Sequence, residues 1–288
     1  EVLGTAQGIP QLLMNYGRVS REAWRLKTLL DEEGHPVTSR FIVVRPASSP
    51  TPLRTLWAIC NSPVANAYAY CTSGKRDVLA GDMRRLPVPD LQRSDCTVLE
   101  QAVRDYFDAA RLLPVSDAPA PRASAQRRRI SSRQRQLPFS EVPPSSTPDG
   151  ASLLERLKHL HWRVDAEVLR LYALPAPLER QLLDLFTGVR RRGVPFEQTE
   201  YFPGDFTELN RLSELLAITA DWPRTNRRRA KLMDLEEAGR LTESQTEELN
   251  ELQRLADARV SYFKPVFLED ADQIIEDLKR RGLWSEAT

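Results

Sequence analysis

Hydrophobic and polar positions change their period along this chain. In the first hundred residues the apolar runs are short and of two kinds. Phe41-Ile42-Val43-Val44 is a β-type run that stops before Pro46, and Gln11-Leu12-Leu13-Met14-Asn15 predicts a second strand. Pro52 to Asn61 predicts a helix, with proline near its first turn and Leu53, Leu56, Trp57 and Cys60 on one face. That helix halts at Ser62-Pro63, and Val64 to Tyr68 predicts a further helical stretch. Val98 to Leu113 then places Val98, Ala102, Tyr106 and Ala109 at helical spacing.

The second half reads almost entirely as helix. Leu154, Leu157, Leu160, Val164, Val168 and Leu171 recur every three or four residues, and Leu178, Leu182 and Leu185 resume the pattern after Pro175-Ala176-Pro177. Residues 226–238 and 243–262 predict a helical hairpin. Gly239 stops its first helix, and Thr242 with Gln245 makes a capping box for its second, whose stripe is Leu249, Leu252, Leu255 and Ala256. The expected fold class is an α+β N-terminal module followed by a mainly α-helical C-terminal half. Between the two, residues 114–150 hold Pro114, Pro119, Pro121, Pro138, Pro143, Pro144 and Pro148 among Ser and Ala. Such a stretch removes backbone donors and buries little, so it predicts a disordered linker. The predicted organisation is a module at 1–113, the linker at 114–150, a helical segment at 151–215 and a hairpin tail at 216–288.

Composition narrows the classes. The 288 residues are 41% hydrophobic and 28% charged, which is ordinary for globular chains. A net charge of +1 excludes whole-chain attraction to nucleic acid, so any such site must be local. Residues 1–96 hold 12 Lys/Arg against 9 Asp/Glu, while residues 151–288 hold 21 against 25, so the positive excess lies in the first half. The linker adds Arg122, Arg127, Arg128, Arg129, Arg133 and Arg135, a cluster that either neutralises phosphates without reading sequence or is simply solvated. No apolar run of about 18 residues predicts a membrane span. The three cysteines, Cys60, Cys71 and Cys96, form neither a disulfide framework nor a metal pair, which fits a reducing cytoplasmic setting. The chain opens Glu1-Val2-Leu3 without an initiator methionine, so an upstream part is expected.

Catalytic constellations are mostly missing. There is no Gly-x-Gly-x-x-Gly and no phosphate-binding Gly-rich loop. His159 and His161 stand two apart on a helix, point to different faces and read as surface or boundary residues. Asp31-Glu32-Glu33 beside Gly34 reads as a solvated turn. Asn61-Ser62-Pro63-Val64 differs from the Asn/Asp-Pro-Pro-aromatic loop that holds a flipped base in DNA amino-methyltransferases, and reads as a helix interruption. What remains is basic side chains near aromatics. Arg18, Arg21 and Arg25 cluster with Asn15, Ser20 and Trp24; Arg40 precedes Phe41; Lys75 and Arg76 follow Gly74; Arg84 and Arg85 precede Leu86-Pro87-Val88-Pro89. These residues contact DNA, or they are solvated charges around a core Trp24.

One ordered series of motifs weighs on that choice. Asn15-Tyr16-Gly17-Arg18-Val19-Ser20-Arg21-Glu22-Ala23-Trp24-Arg25 is followed by Ser39 to Pro46, then Leu56 to Tyr68 with its Asn61-Ser62-Pro63, then Gly74-Lys75-Arg76-Asp77 and Met83 to Pro89. This order resembles the C-terminal target-recognition region of N6-adenine DNA methyltransferases from restriction–modification systems. In that family a helix with Asn-Ser-Pro follows a β-rich segment, and a basic loop and a Pro-x-Pro exit come after it. The resemblance covers residues 8–92. A second block, Val164 to Tyr172 and Leu178 to Asp184, with Val194-Pro195-Phe196 and Tyr201-Phe202-Pro203, resembles the helical segment that often follows.

The resemblance implies recognition of duplex DNA, with Arg18, Arg21, Arg25, Arg40, Lys75, Arg76, Arg84 and Arg85 as candidate contacts. It implies a methyltransferase catalytic domain or subunit as partner, which would bring S-adenosylmethionine; the cofactor and catalytic motifs of that family have no match here. The first alternative is a helical protein-interaction module. The second is an enzyme of another class built on Cys60 or Cys71.

Overall fold

The computed structural model describes residues 8–45, 52–72, 77–91, 94–113, 148–192, 198–200 and 209–280. Gly74, Lys75, Arg76, Pro46, Val194-Pro195-Phe196, Tyr201-Phe202-Pro203 and residues 114–147 of the expected linker 114–150 lie outside them, while the last three residues of that stretch, Pro148, Asp149 and Gly150, are instead the first residues of a helix. A small antiparallel sheet opens the chain, and helices run through its second half.

The sheet is built from β1 (Gln11–Asn15), β2 (Thr28–Asp31) and β3 (Phe41–Val44) in the order β2-β1-β3, with both pairings antiparallel. Leu13 faces Leu29 on one side and Val43 on the other. Helices α1 (Leu53–Asn61), α2 (Pro63–Thr72), α3 (Ala80–Met83) and α4 (Thr97–Ala110) follow. Beyond the linker come α5 (Pro148–Tyr172), α6 (Ala176–Asp184), the two-stranded ribbon β4 (Arg190–Arg192) and β5 (Gln198–Glu200), α7 (Leu212–Ile218), α8 (Trp222–Glu237) and α9 (Glu243–Arg280).

Two apolar clusters hold these elements, and each takes side chains from both sides of the linker. The first packs Leu12, Met14, Trp57, Ile59, Leu99, Val103 and Tyr106 against Leu157, Val164 and Val168 of α5. Its centre is Trp57, with ring centroids 5.8 Å from Tyr106 and 4.8 Å from Phe107. The second joins Ala23, Trp24 and Ala67 to Trp162, Leu169, Phe186, Leu212, Leu215 and Leu255.

Most of the predicted elements are present. The capping box forms as Thr242 N–H donating to Gln245 Oε1 at 3.0 Å and Gln245 N–H donating to Thr242 Oγ1 at 3.3 Å. Gly239 ends α8 at φ 66°, and Arg240 N–H reaches back to the Leu235 carbonyl at 2.8 Å. Three readings need correction. Val98 is exposed, although Ala102, Tyr106 and Ala109 of the expected face are buried; Leu99, Val103 and Ala110 complete the buried face of α4, which leaves Val98 at its outer side. His161 is buried, with its ring stacked on Tyr106 at 4.6 Å, because its side of α5 faces α4. Asp31 is buried too: it ends β2 and accepts hydrogen bonds from Gln11, Gly34 and His35. Among the described residues, no helix is long and apolar enough to cross a membrane.

Candidate nucleic-acid interface

Three of the eight candidate contacts, Arg18, Arg21 and Arg40, belong to segments that meet where β1 ends. Asn15 closes that end through its side-chain amide: Oδ1 accepts Lys27 N–H at 2.6 Å, and Nδ2 donates to the carbonyls of Gly17 at 2.8 Å and Arg25 at 2.9 Å. Residues 16–27 therefore leave the sheet and return as one tied loop, with Val19 N–H on the Arg25 carbonyl at 3.1 Å. The loop sorts its side chains. Arg21 is exposed and Arg18 half-buried, while Ala23, Trp24 and Arg25 turn inward.

Two other segments are hydrogen-bonded to the same corner. Tyr16 N–H donates to the Arg40 carbonyl at 3.1 Å, just before β3. Gly17 pairs with Asp77 in an antiparallel bridge, and Val78 N–H donates to the Tyr16 carbonyl at 2.7 Å. Arg18, Arg40 and the stretch that in sequence follows Lys75-Arg76 are thus brought together from positions far apart. Arg18, Arg21 and Arg40 form no ion pair among the described residues. Tyr16 and Phe41, both 38% exposed, flank them. The sequence already sets Phe41 beside Arg40, whereas Tyr16 is marked as a surface group only by its place in Tyr16-Gly17-Arg18. Cations beside exposed aromatic faces suit contacts with phosphates and base edges.

Not every candidate joins this corner. Arg25 is buried, with its guanidinium 4.7 Å from the Tyr70 ring centroid and Nε donating to the Glu22 carbonyl at 3.4 Å. Arg84 and Arg85 are exposed at the end of α3, where Tyr68 Oη donates to the Asp82 carbonyl. Lys75 and Arg76 lie outside the described residues.

The loop is held from beneath by α1 and α2. Asn66 Oδ1 accepts both Arg25 N–H and Leu26 N–H at 2.8 Å. Asn61 Oδ1 accepts Thr28 N–H at 2.9 Å while its Nδ2 donates to the Thr28 carbonyl at 3.0 Å. Asn61 occupies the outer edge of β2 at Thr28, and Asn66 the backbone just before the strand, where these groups would otherwise be orphaned. Ser62 makes the geometry work. It ends α1, and its Oγ accepts Ala65 N–H at 3.3 Å in the first turn of α2, where Pro63 needs no partner. The helix interruption is therefore a clamp on the sheet edge.

The opposite end of the sheet gathers carboxylates, with Arg45 on Gln11 at 2.8 Å and Arg54 on Glu32 at 2.9 Å beside them. Asp31, Glu32 and Glu33 lie there with His35, whose Nδ1 is 2.8 Å from Asp31 Oδ1. Burial pushes the Asp31 carboxyl up, but hydrogen bonds from the Gln11 side chain, His35 and the Gly34 amide outweigh it and hold the group below the usual carboxylate range. The hydrogen bond to Asp31 raises the His35 ring above its ordinary value, and the Asp31 and Glu33 charges add to it.

A buried node fastens the loop to the second half. Arg191 of β4 pairs with Asp165 of α5, donates from Nη2 to the Asn61 carbonyl at 2.8 Å, and lies over Trp24 with 4.5 Å to the ring centroid. Burial and the Arg191 charge keep the His161 ring well below its ordinary pKa.

Nucleophilic chemistry at Cys60 has no support, because burial pushes its thiol up to about 12. Cys71 is exposed at the end of α2. Among the described residues, no group of three or more His, Cys, Asp or Glu side chains is placed to hold a metal ion. No family model matches the chain, and no curated protein and no solved structure matches it.

Proposed function

We propose that this chain recognises duplex DNA, as the specificity part of an adenine-specific DNA methyltransferase of a bacterial restriction–modification system acting in the cytoplasm. The observation that carries the reading is the corner at which Arg18, Arg40 and the segment after Lys75-Arg76 converge beside exposed Tyr16 and Phe41. Long cationic side chains there fix register on phosphates, and arginines reach base edges in the groove. The clamp by Asn61 and Asn66 fastens the returning end of the loop that carries Arg18 and Arg21, and a reader of sequence needs such support.

Methyl transfer belongs to a partner domain or subunit. S-adenosylmethionine is assigned to that partner. In open α/β sheets nucleotide-type cofactors lie at the carboxyl ends of parallel strands beside a Gly-rich turn, whereas the strand pairings among the described residues are antiparallel, which supports that assignment. This chain positions the duplex, and the partner flips and modifies the base.

Rounds of selection from a randomised duplex library test the reading. The full chain should enrich one defined sequence, and should transfer no methyl group when given labelled S-adenosylmethionine alone. Enrichment of no sequence, with equal binding to all, would remove the recognition role.

A further inference from the structure

Helix α8 orders its charges against its own dipole. Arg224, Arg227, Arg228, Arg229 and Lys231 stand in its N-terminal part, and Asp234, Glu236 and Glu237 stand at its C-terminal end, with no acidic residue in the first turn. A helix N-terminus is its positive end, so this is the unfavourable order. The hairpin accounts for part of it. Arg228 donates to Glu248 of α9 through Nε at 2.7 Å and Nη2 at 2.5 Å, and Arg229 Nη1 donates to Gln253 Oε1 at 2.9 Å.

Arg224, Arg227 and Lys231 serve no such contact. All three are exposed, and none forms an ion pair among the described residues; Arg227 Nε reaches only the Pro223 carbonyl of its own helix, at 3.1 Å. Their spacing of three and then four residues puts them on one face, away from the buried Leu232. The strip they form is about 10 Å long at 1.5 Å per residue. Phosphates on one strand of a duplex recur about every 3.4 Å along its axis, so three cations over this length suit a strand of phosphates better than a single anion. The strip is also firmly held. The capping box, the Gly239 turn and the Arg228–Glu248 pair tie α8 to α9, and Asp221 at its start is held by Arg163 at 2.6 Å.

We propose that the outer face of α8, through Arg224, Arg227 and Lys231, is a second docking strip for the phosphate backbone of duplex DNA. The proposal rests on the DNA reading above for its ligand and assigns the hairpin a part in holding the duplex. It supplies affinity and no sequence preference.

The test is a salt titration of binding by the full chain, from about 50 to 200 mM, on a mixed-sequence duplex of about 30 base pairs. R224A/R227A/K231A should lower the slope of log affinity against log salt by about 2–3, since each phosphate contact carries about 0.9. Affinity should fall alike for every sequence, and helicity should be kept, because the changes relieve charges opposed to the dipole. K231Q, alone and further from the helix start, should lower the slope by about 0.9 and keeps the test open if the triple variant misfolds. An unchanged slope in both variants overturns the proposal. So does loss of binding to phosphatidylserine vesicles with DNA binding intact, which would make the strip a lipid contact. A parent chain that binds no duplex removes this proposal together with the DNA reading, whereas a binding parent with unaffected variants removes this one alone.

Discussion

The guanidinium of Arg191 stands over the indole of Trp24, 4.5 Å from its ring centroid. Trp24 belongs to the loop that displays Arg18 and Arg21, and Arg191 to a strand far along the chain. The same guanidinium pairs with Asp165, so one buried cation links the loop, α5 and α1. Removing one partner of such a pair strands the other without compensation. Arg191→Ala should cost on the order of 3–5 kcal/mol in urea unfolding, and the double variant R191M/D165L considerably less. Equal losses in the two would show that the pair is not what holds the loop.

Asn66 makes a more local prediction. Its side-chain oxygen is the shared acceptor for the amides of Arg25 and Leu26. Asn66→Ala leaves both without that partner, at about 1–3 kcal/mol each. Hydrogen exchange should accelerate at these two amides before it does at Leu13 in the middle of the sheet. Protection of both in the variant would contradict the clamp.

The pattern of the sequence revealed its elements better than the contacts between them. Phe41–Val44, the capping box at Thr242 and the stop at Gly239 are local devices, and each is legible within a few residues. Thr28–Asp31 escaped notice because four residues hold too little alternation to show a period. The roles of Asn61 and Asn66 were hidden because they bond to backbone some 30 to 40 residues away, and an asparagine carries no mark of where its amide will point. Arg25 looked like its neighbours Arg18 and Arg21. Only the turn of the loop separates buried Arg25 from half-buried Arg18 and exposed Arg21. The converging corner was out of reach for the same reason, since three separate segments meet there.

The linker predicts a second-order effect. Trypsin should cut first at Arg122 to Arg135, where prolines and arginines leave little to bury. Both apolar clusters draw side chains from each side of that stretch. The nicked chain should therefore elute from a sizing column as one species and separate only in denaturant. Two separable folded pieces would show that the clusters do not bind the halves together.

His161 sets a pH dependence. Its folded pKa lies well below the ordinary 6.5, because burial and then Arg191 disfavour the charged ring. Between those two values the unfolded chain binds the extra proton, so stability rises with pH. The contribution is full above about 6.5 and is lost as pH falls below it toward the folded value. His161→Phe keeps a ring against Tyr106 and should flatten stability against pH in that window. The same slope in the variant would place the titration elsewhere. Asp31 adds a contribution at lower pH: its folded pKa is depressed, so its stabilisation is present above the unfolded value and lost as pH falls through the folded one.

The most direct measurement of the account is a salt titration of duplex binding for R18A/R40A/K75A/R76A beside the parent, using the sequence enriched from the random library. The account predicts that the variant loses both affinity and discrimination: the salt slope falls by about 0.9 for each phosphate contact removed, and each lost base-reading arginine costs about 1–3 kcal/mol against a mismatched site. Unchanged slope and unchanged preference in a folded variant would contradict it, because the corner at the end of β1 would then take no part in reading DNA.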